Sequence, residues 1–403
     1  MRVSSISLPS IVVTALLGSA LSSALSSSAF ALELGGQVNL EHRQFVEKGA
    51  QGQQRQQSSI VVKPELYWSL MDGEASFTLT PFYRWDSLDK ERSHGDIREA
   101  LFLTYWDDYE LRAGVGKVFW GVTESAHLVD IVNQTDAIES VDGEQKLGQP
   151  MLHFTAVKDW GTLDTLLLPY FRERTFAGED GRLRPTLPVS ADAIYESSKD
   201  QQHIDYALRY SVMLDDWDVG ISYFQGTNRD PYFRVVGETN QLAIAPYYAQ
   251  AKQVGVDLQG IVGDWLWKFE GIYRDSLDHH TGLVGGYEYT AVGVFDSIWD
   301  IGLIMEYLYD SRGANAQSVG QNDLFLGSRF VLNDEAGTEV LVGVTQDLDH
   351  SDVLSAKLEA SSRLSNHLKW RLDAWLFENQ TPNDLLYFAR DDDFVEISLE
   401  YYF

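Results

Sequence analysis

The sequence predicts an all-β fold, a single antiparallel transmembrane β-barrel of about 18 strands (16–18), with short turns at one end and long loops at the other. Three observations predict it. Apolar and polar residues alternate with a period of two through most of residues 32–403, and apolar residues seldom recur at helical spacing over three turns. Short turns and longer polar connections follow one another along the chain. Aromatic residues gather beside the short turns.

Residues 1–31 read as a signal peptide. Arg2 gives a positive start, Ile11 to Leu21 is an apolar run, and a Ser/Ala stretch closes on Ala29-Phe30-Ala31, a small-x-small cleavage site. Cleavage after Ala31 would begin the mature chain at Leu32. The apolar run is too short to span a bilayer. No other stretch approaches that length without charge, so strands are the remaining means of crossing. Residues 32–403 form one domain, the barrel, with no Ser/Pro/Gly linker. No plug precedes the first strand, expected near Gly36, which argues against a siderophore-type receptor.

The strands show their faces directly. In 59–70, Ile60, Val62, Leu66, Trp68 and Leu70 share one side, and Lys63, Glu65, Tyr67 and Ser69 the other. In 354–364, Leu354, Ala356, Leu358, Ala360 and Leu364 oppose Ser355, Lys357, Glu359, Ser361 and Arg363. In 368–376, Leu368, Trp370, Leu372, Ala374 and Leu376 oppose Lys369, Arg371, Asp373 and Trp375. In 394–403, Val395, Ile397, Leu399, Tyr401 and Phe403 oppose Phe394, Glu396, Ser398, Glu400 and Tyr402, a mostly polar face. A second face this charged needs water. A soluble sandwich could also supply that, since its outer faces are wet. Pro64, Pro81 and Pro169 fall inside predicted strands, where bends or bulges are expected.

The connections discriminate better. Tight turns are expected at 72–73, 107–108, 159–161, 215–216, 263–264, 296–297, 333–337 and 365–366. Long loops are expected at 47–57, 86–95, 120–148, 173–201, 227–250, 275–283, 311–321, 348–352 and 379–392. Short and long alternate without a miss, which a sandwich has no reason to do. Eight turns and nine loops join 18 strands, and the even number puts both termini on the periplasmic side. Trp106, Tyr109, Trp160, Trp217, Trp265, Trp267, Trp299 and Trp370 lie within a few residues of a short turn. Rings with an apolar body and a polar tip suit a membrane interface.

Composition narrows the function. The chain carries 60 acids against 31 bases, a formal charge of −29, and so lacks the basic footprint that nonspecific nucleic-acid binding requires. It has no cysteine, which excludes disulfides, thiolate chemistry and Cys-ligated metals. No metal or cofactor is implied. Its nine histidines form no His-Glu-x-x-His spacing, and no Gly-x-Ser-x-Gly elbow or phosphate-binding glycine loop occurs. His279-His280 and Asp349-His350-Ser351-Asp352 are loop clusters without a catalytic pattern, so the chain reads as a non-enzyme. Asp391-Asp392-Asp393 reads as a solvated tip. The acidic external loops suggest divalent cations that bridge to anionic lipopolysaccharide.

The informative connection is 117–150. Leu128, Val129, Ile131, Val132 and Ile138 are apolar, and Asp130, Asp136, Glu139, Asp142 and Glu144 follow Glu124. Those aliphatics must be buried somewhere. The reading is a loop folded into the lumen, against a loop packed over the barrel mouth or a partner subunit. If the aliphatic faces point to lipid, Arg84, Arg98, Arg112, Arg172 and Arg209 face the lumen as a basic set. An acidic inserted loop opposite would set a transverse field. The alternative is charge pairs that brace the wall. The candidate pore-lining and constriction residues are Arg84, Arg98, Arg112, Lys117, Glu124, Asp130, Asp136, Arg172 and Arg209.

Two resemblances bear on this reading. The strand ending in Phe403 resembles the last strand of Gram-negative outer-membrane β-barrels, in which a terminal Phe is part of the assembly signal. That implies barrel-assembly machinery, outer-membrane lipid and lipopolysaccharide as partners. Arg112-Ala113-Gly114 through Lys117, then Trp120-Gly121, Glu124-Ser125, Val132-Asn133 and Asp136, resembles a stretch of alginate-export-type and related uncharacterised porin-like barrels. The likeness covers some 30 residues. Lys117 stands where the family has Arg, and Val122-Thr123 separates Gly121 from Glu124. The resemblance implies a barrel with a lumenal loop. The expected function is a porin-like outer-membrane channel for passive passage of small hydrophilic solutes, anions among them. The alternative is a dedicated exporter or uptake barrel for one ligand class, such as an acidic saccharide; an outer-membrane enzyme or adhesin is the third reading. A homo-oligomer is compatible with the sequence, which carries no interface signal.

Overall fold

The computed structural model describes residues 31–238, 241–316, 320–382 and 384–403. The expected leader therefore lies outside the described residues, apart from Ala31. The strands are β1 (Ala31–Phe45), β2 (Gln56–Leu70), β3 (Ala75–Asp86), β4 (His94–Trp106), β5 (Tyr109–Gly116), β6 (Gln149–Lys158) and β7 (Gly161–Leu168). Then come β8 (Ile194–Tyr195), β9 (Asp205–Leu214), β10 (Trp217–Thr227), β11 (Tyr232–Val236), β12 (Ala243–Tyr248), β13 (Gln250–Val262) and β14 (Trp265–Asp275). The last are β15 (His279–Ala291), β16 (Asp300–Asp310), β17 (Asn322–Val331), β18 (Glu339–Asp347), β19 (Val353–Ser365), β20 (Leu368–Asn379) and β21 (Phe394–Tyr402).

Eighteen of these form one antiparallel sheet; β8, β11 and β12 form a separate three-stranded sheet within two loops. Each barrel strand pairs with the next, with β7 meeting β9 and β10 meeting β13. The ring closes where β1 meets β21, from Gln37 opposite Tyr402 to Phe45 opposite Phe394. Closure leaves no edge, so every strand has two hydrogen-bonding neighbours. Among the described residues no helix is long and apolar enough to cross a membrane.

The period of two decides what faces where. Val395, Ile397, Leu399 and Tyr401 are exposed on the outer surface, while Ser398 and Glu400 between them are buried on the inner one. Trp106, Trp160, Trp217, Trp265, Trp267 and Trp299 are exposed beside the short turns. Trp265 packs against Tyr287 and Tyr289 at 4.9 and 4.8 Å between centroids. Asp107 and Asp215 occupy these turns at φ 49° and 53°, a left-handed conformation that Asp tolerates.

Strict alternation of loop length fails at three places. The connection expected over 275–283 is only 276–278, because His279 to Leu283 continue the ladder against β14. On the short-turn side, 292–299 and 332–338 are longer than hairpin turns. Asp391-Asp392-Asp393 is no solvated tip: Asp392 is buried against Arg182 at 2.6 Å, and Asp393 accepts the Phe377 N–H at 2.7 Å. Pro169 lies just beyond β7.

Pro64 and Pro81 share one defect. The β2–β3 ladder breaks between Val62–Tyr83 and Leu66–Leu79, and both prolines sit in the gap, where no N–H is required of them. Gly36 faces Pro64 across β1 at φ 143°, and a Cβ there would lie 2.6 Å from the Lys63 carbonyl oxygen. In the β3–β4 ladder the register slips from Thr80–Glu99 to Pro81–Ile97 and leaves Arg98 as the extra residue of a bulge. The bulge turns consecutive residues, Arg98 and Glu99, into the lumen.

Candidate functional site: the lumen and its constriction

The segment 117–148 leaves β5 and lies inside the barrel. Two inward carboxylates hold it. Glu270 of β14 accepts the N–H groups of Val122 at 2.7 Å, Thr123 at 3.2 Å and Val129 at 3.1 Å, and the Thr123 hydroxyl at 2.8 Å. Glu306 of β16 accepts the N–H groups of Glu124 and Ser125, each at 2.8 Å, and the Ser125 hydroxyl at 2.5 Å. Gly121 permits this approach: at φ 149° it carries no Cβ, which would lie 3.1 Å from Glu270 Oε1. Asn133 ties the ends of the segment together. Its amide donates to the carbonyls of Gly116 at 3.0 Å and Leu147 at 2.8 Å, and its oxygen accepts the Val118 N–H at 2.9 Å.

The aliphatic residues of the segment are buried within the lumen. Trp120, Val129, Ile131 and Val132 pack with Met151, Leu166, Leu168, Ala207, Phe224 and Ile272 of the wall. Ala126 and Leu128 pack against Val284, Ile304, Leu308, Phe325 and Leu341. One arc of the inner wall is thus covered by the segment, largely through apolar packing.

The other arc encloses a cavity of about 830 Å³. Its strand residues come from β1–β4 and β19–β21, and the inserted segment forms its remaining side. Acids outnumber bases along it, and most charges are matched. Arg84 grips Glu139 with two bonds of 2.8 and 2.7 Å and also bonds Glu41. Arg43 reaches Glu396 at 2.8 Å. Lys63 and Lys117 make no ion pair among the described residues.

Titration follows from these contacts. Burial pushes the Glu139 carboxyl up, but Arg84 outweighs it and holds the group down at about 2. Burial opposes charge on His127 too. Its Nε2 lies 2.9 Å from Glu144, its Nδ1 lies 3.8 Å from Glu270, and these carboxylates lift it to about 10. Lys117 is exposed only to a narrow lumen; enclosure by protein, then the charges of Arg98 and Lys63, lower it to about 8.

Of the residues singled out from sequence, Arg84, Arg98, Lys117 and Glu124 line this cavity. Glu124 also bonds Arg329 at 2.8 Å. Arg209 borders a second space of about 450 Å³, beside Gly121 and Val122, and pairs with Asp257 at 2.5 Å. The others brace the scaffold. Arg112 pairs with Glu110 at 2.7 Å, Arg172 with Asp96 at 2.8 Å, Asp130 with Lys146 at 3.3 Å, and Asp136 with Arg98 at 2.6 Å. The five arginines expected as one basic set are therefore divided: Arg84 and Arg98 line the main cavity, Arg172 shares Asp96 with Arg98, and Arg112 and Arg209 lie apart beside Glu110 and Asp257. His94, Asp136 and Glu139 have ligand atoms within 4.8 Å of one another, yet Arg84 and Arg98 already neutralise both carboxylates, which disfavours a cation there.

The loop 169–204 reaches across the mouth. It springs from β7 and β9, yet Arg182, buried, donates to Asp392 at 2.6 Å and to the carbonyls of Glu47 and Gln54 at 3.0 and 2.9 Å, on the β21–β1–β2 side. The Gly178 N–H bonds Asp89 at 3.0 Å, and Leu183 joins Phe45, Phe377 and Phe394. Sequence reasoning missed Glu270, Glu306, Asn133 and Arg182 as fastenings. Two of them had a legible sign: Glu270 and Glu306 lie on strands whose inward positions are otherwise partly apolar.

No family model and no curated protein matches the sequence. Solved structures do resemble it. Pseudomonas aeruginosa OpdQ aligns over 93% of this chain and 98% of its own, at 12% identity and a TM-score of 0.50. OmpT of Vibrio cholerae, an outer membrane protein in trimer form, aligns over 93% and 100%, at 8% identity and 0.46. A mutant of Rh. blastica porin aligns over 93% and 100%, at 12% and 0.43. At such identities the likeness is one of fold. A closed 18-strand antiparallel ring, apolar outside and charged within, is the fold of a porin-like outer-membrane β-barrel.

Proposed function

We propose that the chain is an outer-membrane channel for passive passage of small hydrophilic solutes, made as a precursor with a leader over 1–31 and a barrel over 32–403. The observation that carries this is the cavity of about 830 Å³ lined by charged side chains along one arc of a closed barrel. A barrel of this strand number has room for an aqueous path, and the inserted segment narrows it. Arg84, Arg98, Lys117 and Glu124 border that path, and Lys63 and Lys117 are the groups that would attract anions among the solutes. Lipid and lipopolysaccharide cover the outside, and Phe403 is the element that assembly machinery would read.

A second reading, a dedicated barrel for one ligand class such as an acidic saccharide, is favoured by the 169–204 loop strapped over the mouth. Planar-bilayer recording separates the two. Steady openings with mild ion selectivity support the channel. Block by one saccharide or acid class supports the dedicated barrel. An absence of conductance, even after residues 122–146 are shortened, overturns both.

A further inference from the structure

We propose that Glu270 and Glu306 are positioning residues that fix the constriction on one arc of the wall, so that the main solute path runs along the opposite arc. The inference deepens the channel reading and rests on it for the word solute; its geometry stands alone.

Both carboxylates are fully buried, and neither pairs with Lys or Arg among the described residues. Buried negative charge needs compensation. Here the inserted segment supplies it through five backbone N–H groups and two hydroxyls, with the His127 ring a further 3.8 Å from Glu270. The dependence is mutual: those N–H groups sit in a loop with no ladder partner and would otherwise be orphaned. The two attachments are on alternate strands, so they fix the segment's orientation as well as its position. The apolar residues of the segment then pack along β6–β18. No strand residue from β5 to β18 borders the main cavity.

A Gln at either position keeps the shape but replaces an accepting oxygen with an NH2 group aimed at other donors. The segment should then lift from the wall and wet the covered arc. Because the native chain has no cysteine, single introduced thiols report on this cleanly. Gln37→Cys sits on the cavity arc. Ser222→Cys sits on the covered arc, where a Cβ on Gly255 would lie 2.6 Å from Ser222 Oγ and 3.0 Å from Val129 Cγ1. Both are exposed to a charged methanethiosulfonate in the folded, lipid-reconstituted barrel.

The expected result is fast modification at 37 and slow modification at 222. In the Glu270→Gln/Glu306→Gln background the rate at 222 should rise about tenfold or more, while the rate at 37 stays constant. Glu288→Gln serves as control, since Glu288 meets Lys268 and Arg329 and not the segment. Equal rates at 37 and 222 without the Gln substitutions overturn the proposal. So does a rate at 222 that the double variant leaves unchanged, or that Glu288→Gln raises equally. Failure of the channel reading is read separately, as absent conductance with the labelling pattern intact.

Discussion

Arg84 and Glu139 show how one residue pair connects the wall to the loop. Each guanidinium–carboxylate bond is charge-assisted, and both groups are nearly enclosed. Glu139→Gln leaves Arg84 with Glu41 alone. We expect a loss of about 3 kcal/mol in urea unfolding from lipid vesicles, the low end for breaking a buried pair, because Glu41 remains. The pH dependence has a definite sign. Glu139 falls from an ordinary 4.5 to about 2 on folding, so its stabilisation is complete above 4.5 and disappears as pH falls toward 2. Glu139→Gln should flatten the stability profile across that window. Lys117 titrates the other way, from an ordinary 10.5 down to about 8. Its charge should vanish between pH 7 and 9, and reversal potentials in a salt gradient should move toward cation selectivity over that range. Lys117→Met should show the shifted value already at pH 7 and no further change. Arg84 was legible in the sequence as an inward-facing charge, because period two assigns a face to every strand position; Lys117 and Glu139 were legible only as charges of the inserted segment. Their pairing was not, because it depends on which loop side chain arrives opposite. Arg112 and Arg209, held by Glu110 and Asp257 away from the main cavity, are the clearest case.

At the level of elements, two of the long loops have different attachments. The segment 117–148 is fixed by buried carboxylates and apolar packing, whereas 169–204 is strapped at its far end by Arg182 and Asp392. Leu183 beside that strap holds φ at 57°, a conformation costly for a residue with a Cβ. Arg182→Met should therefore free the strap and raise conductance on the order of twofold, with the folded state verified by gel mobility. Shortening 122–146 should raise it further, since that segment fills the lumen itself. Unchanged conductance in either variant would show that its loop does not limit flow. The strands were readable because lipid and water impose opposite preferences on alternate residues. Their number followed from counting turns. The connection at 276–278 was over-read, since His279 and His280 are polar enough to mimic a loop while continuing the ladder. The small sheet of β8, β11 and β12 left too short a pattern to see. The covered arc did leave one: Leu166, Phe224, Ile304 and Phe325 are apolar at positions where a wet lumen would have polar residues.

For the whole molecule, the outer girdle determines where it can exist. Leu399 lies near the middle of β21, faces outward and pairs with Leu40. Leu399→Arg should cost about 2–4 kcal/mol in folding into bilayers, because a charge at mid-depth meets hydrocarbon. The inward neighbour Ser398→Arg should cost far less, and equal costs would reverse the assignment of faces. The seam between β1 and β21 joins the two extremities of the barrel sequence, so it is the pairing of greatest chain separation and closes the longest loop. Until then both rims of the unfinished sheet present bare amides and carbonyls to the oily phase. A nascent intermediate cannot rest there half-curled; it must be escorted or must zip shut in one cooperative act.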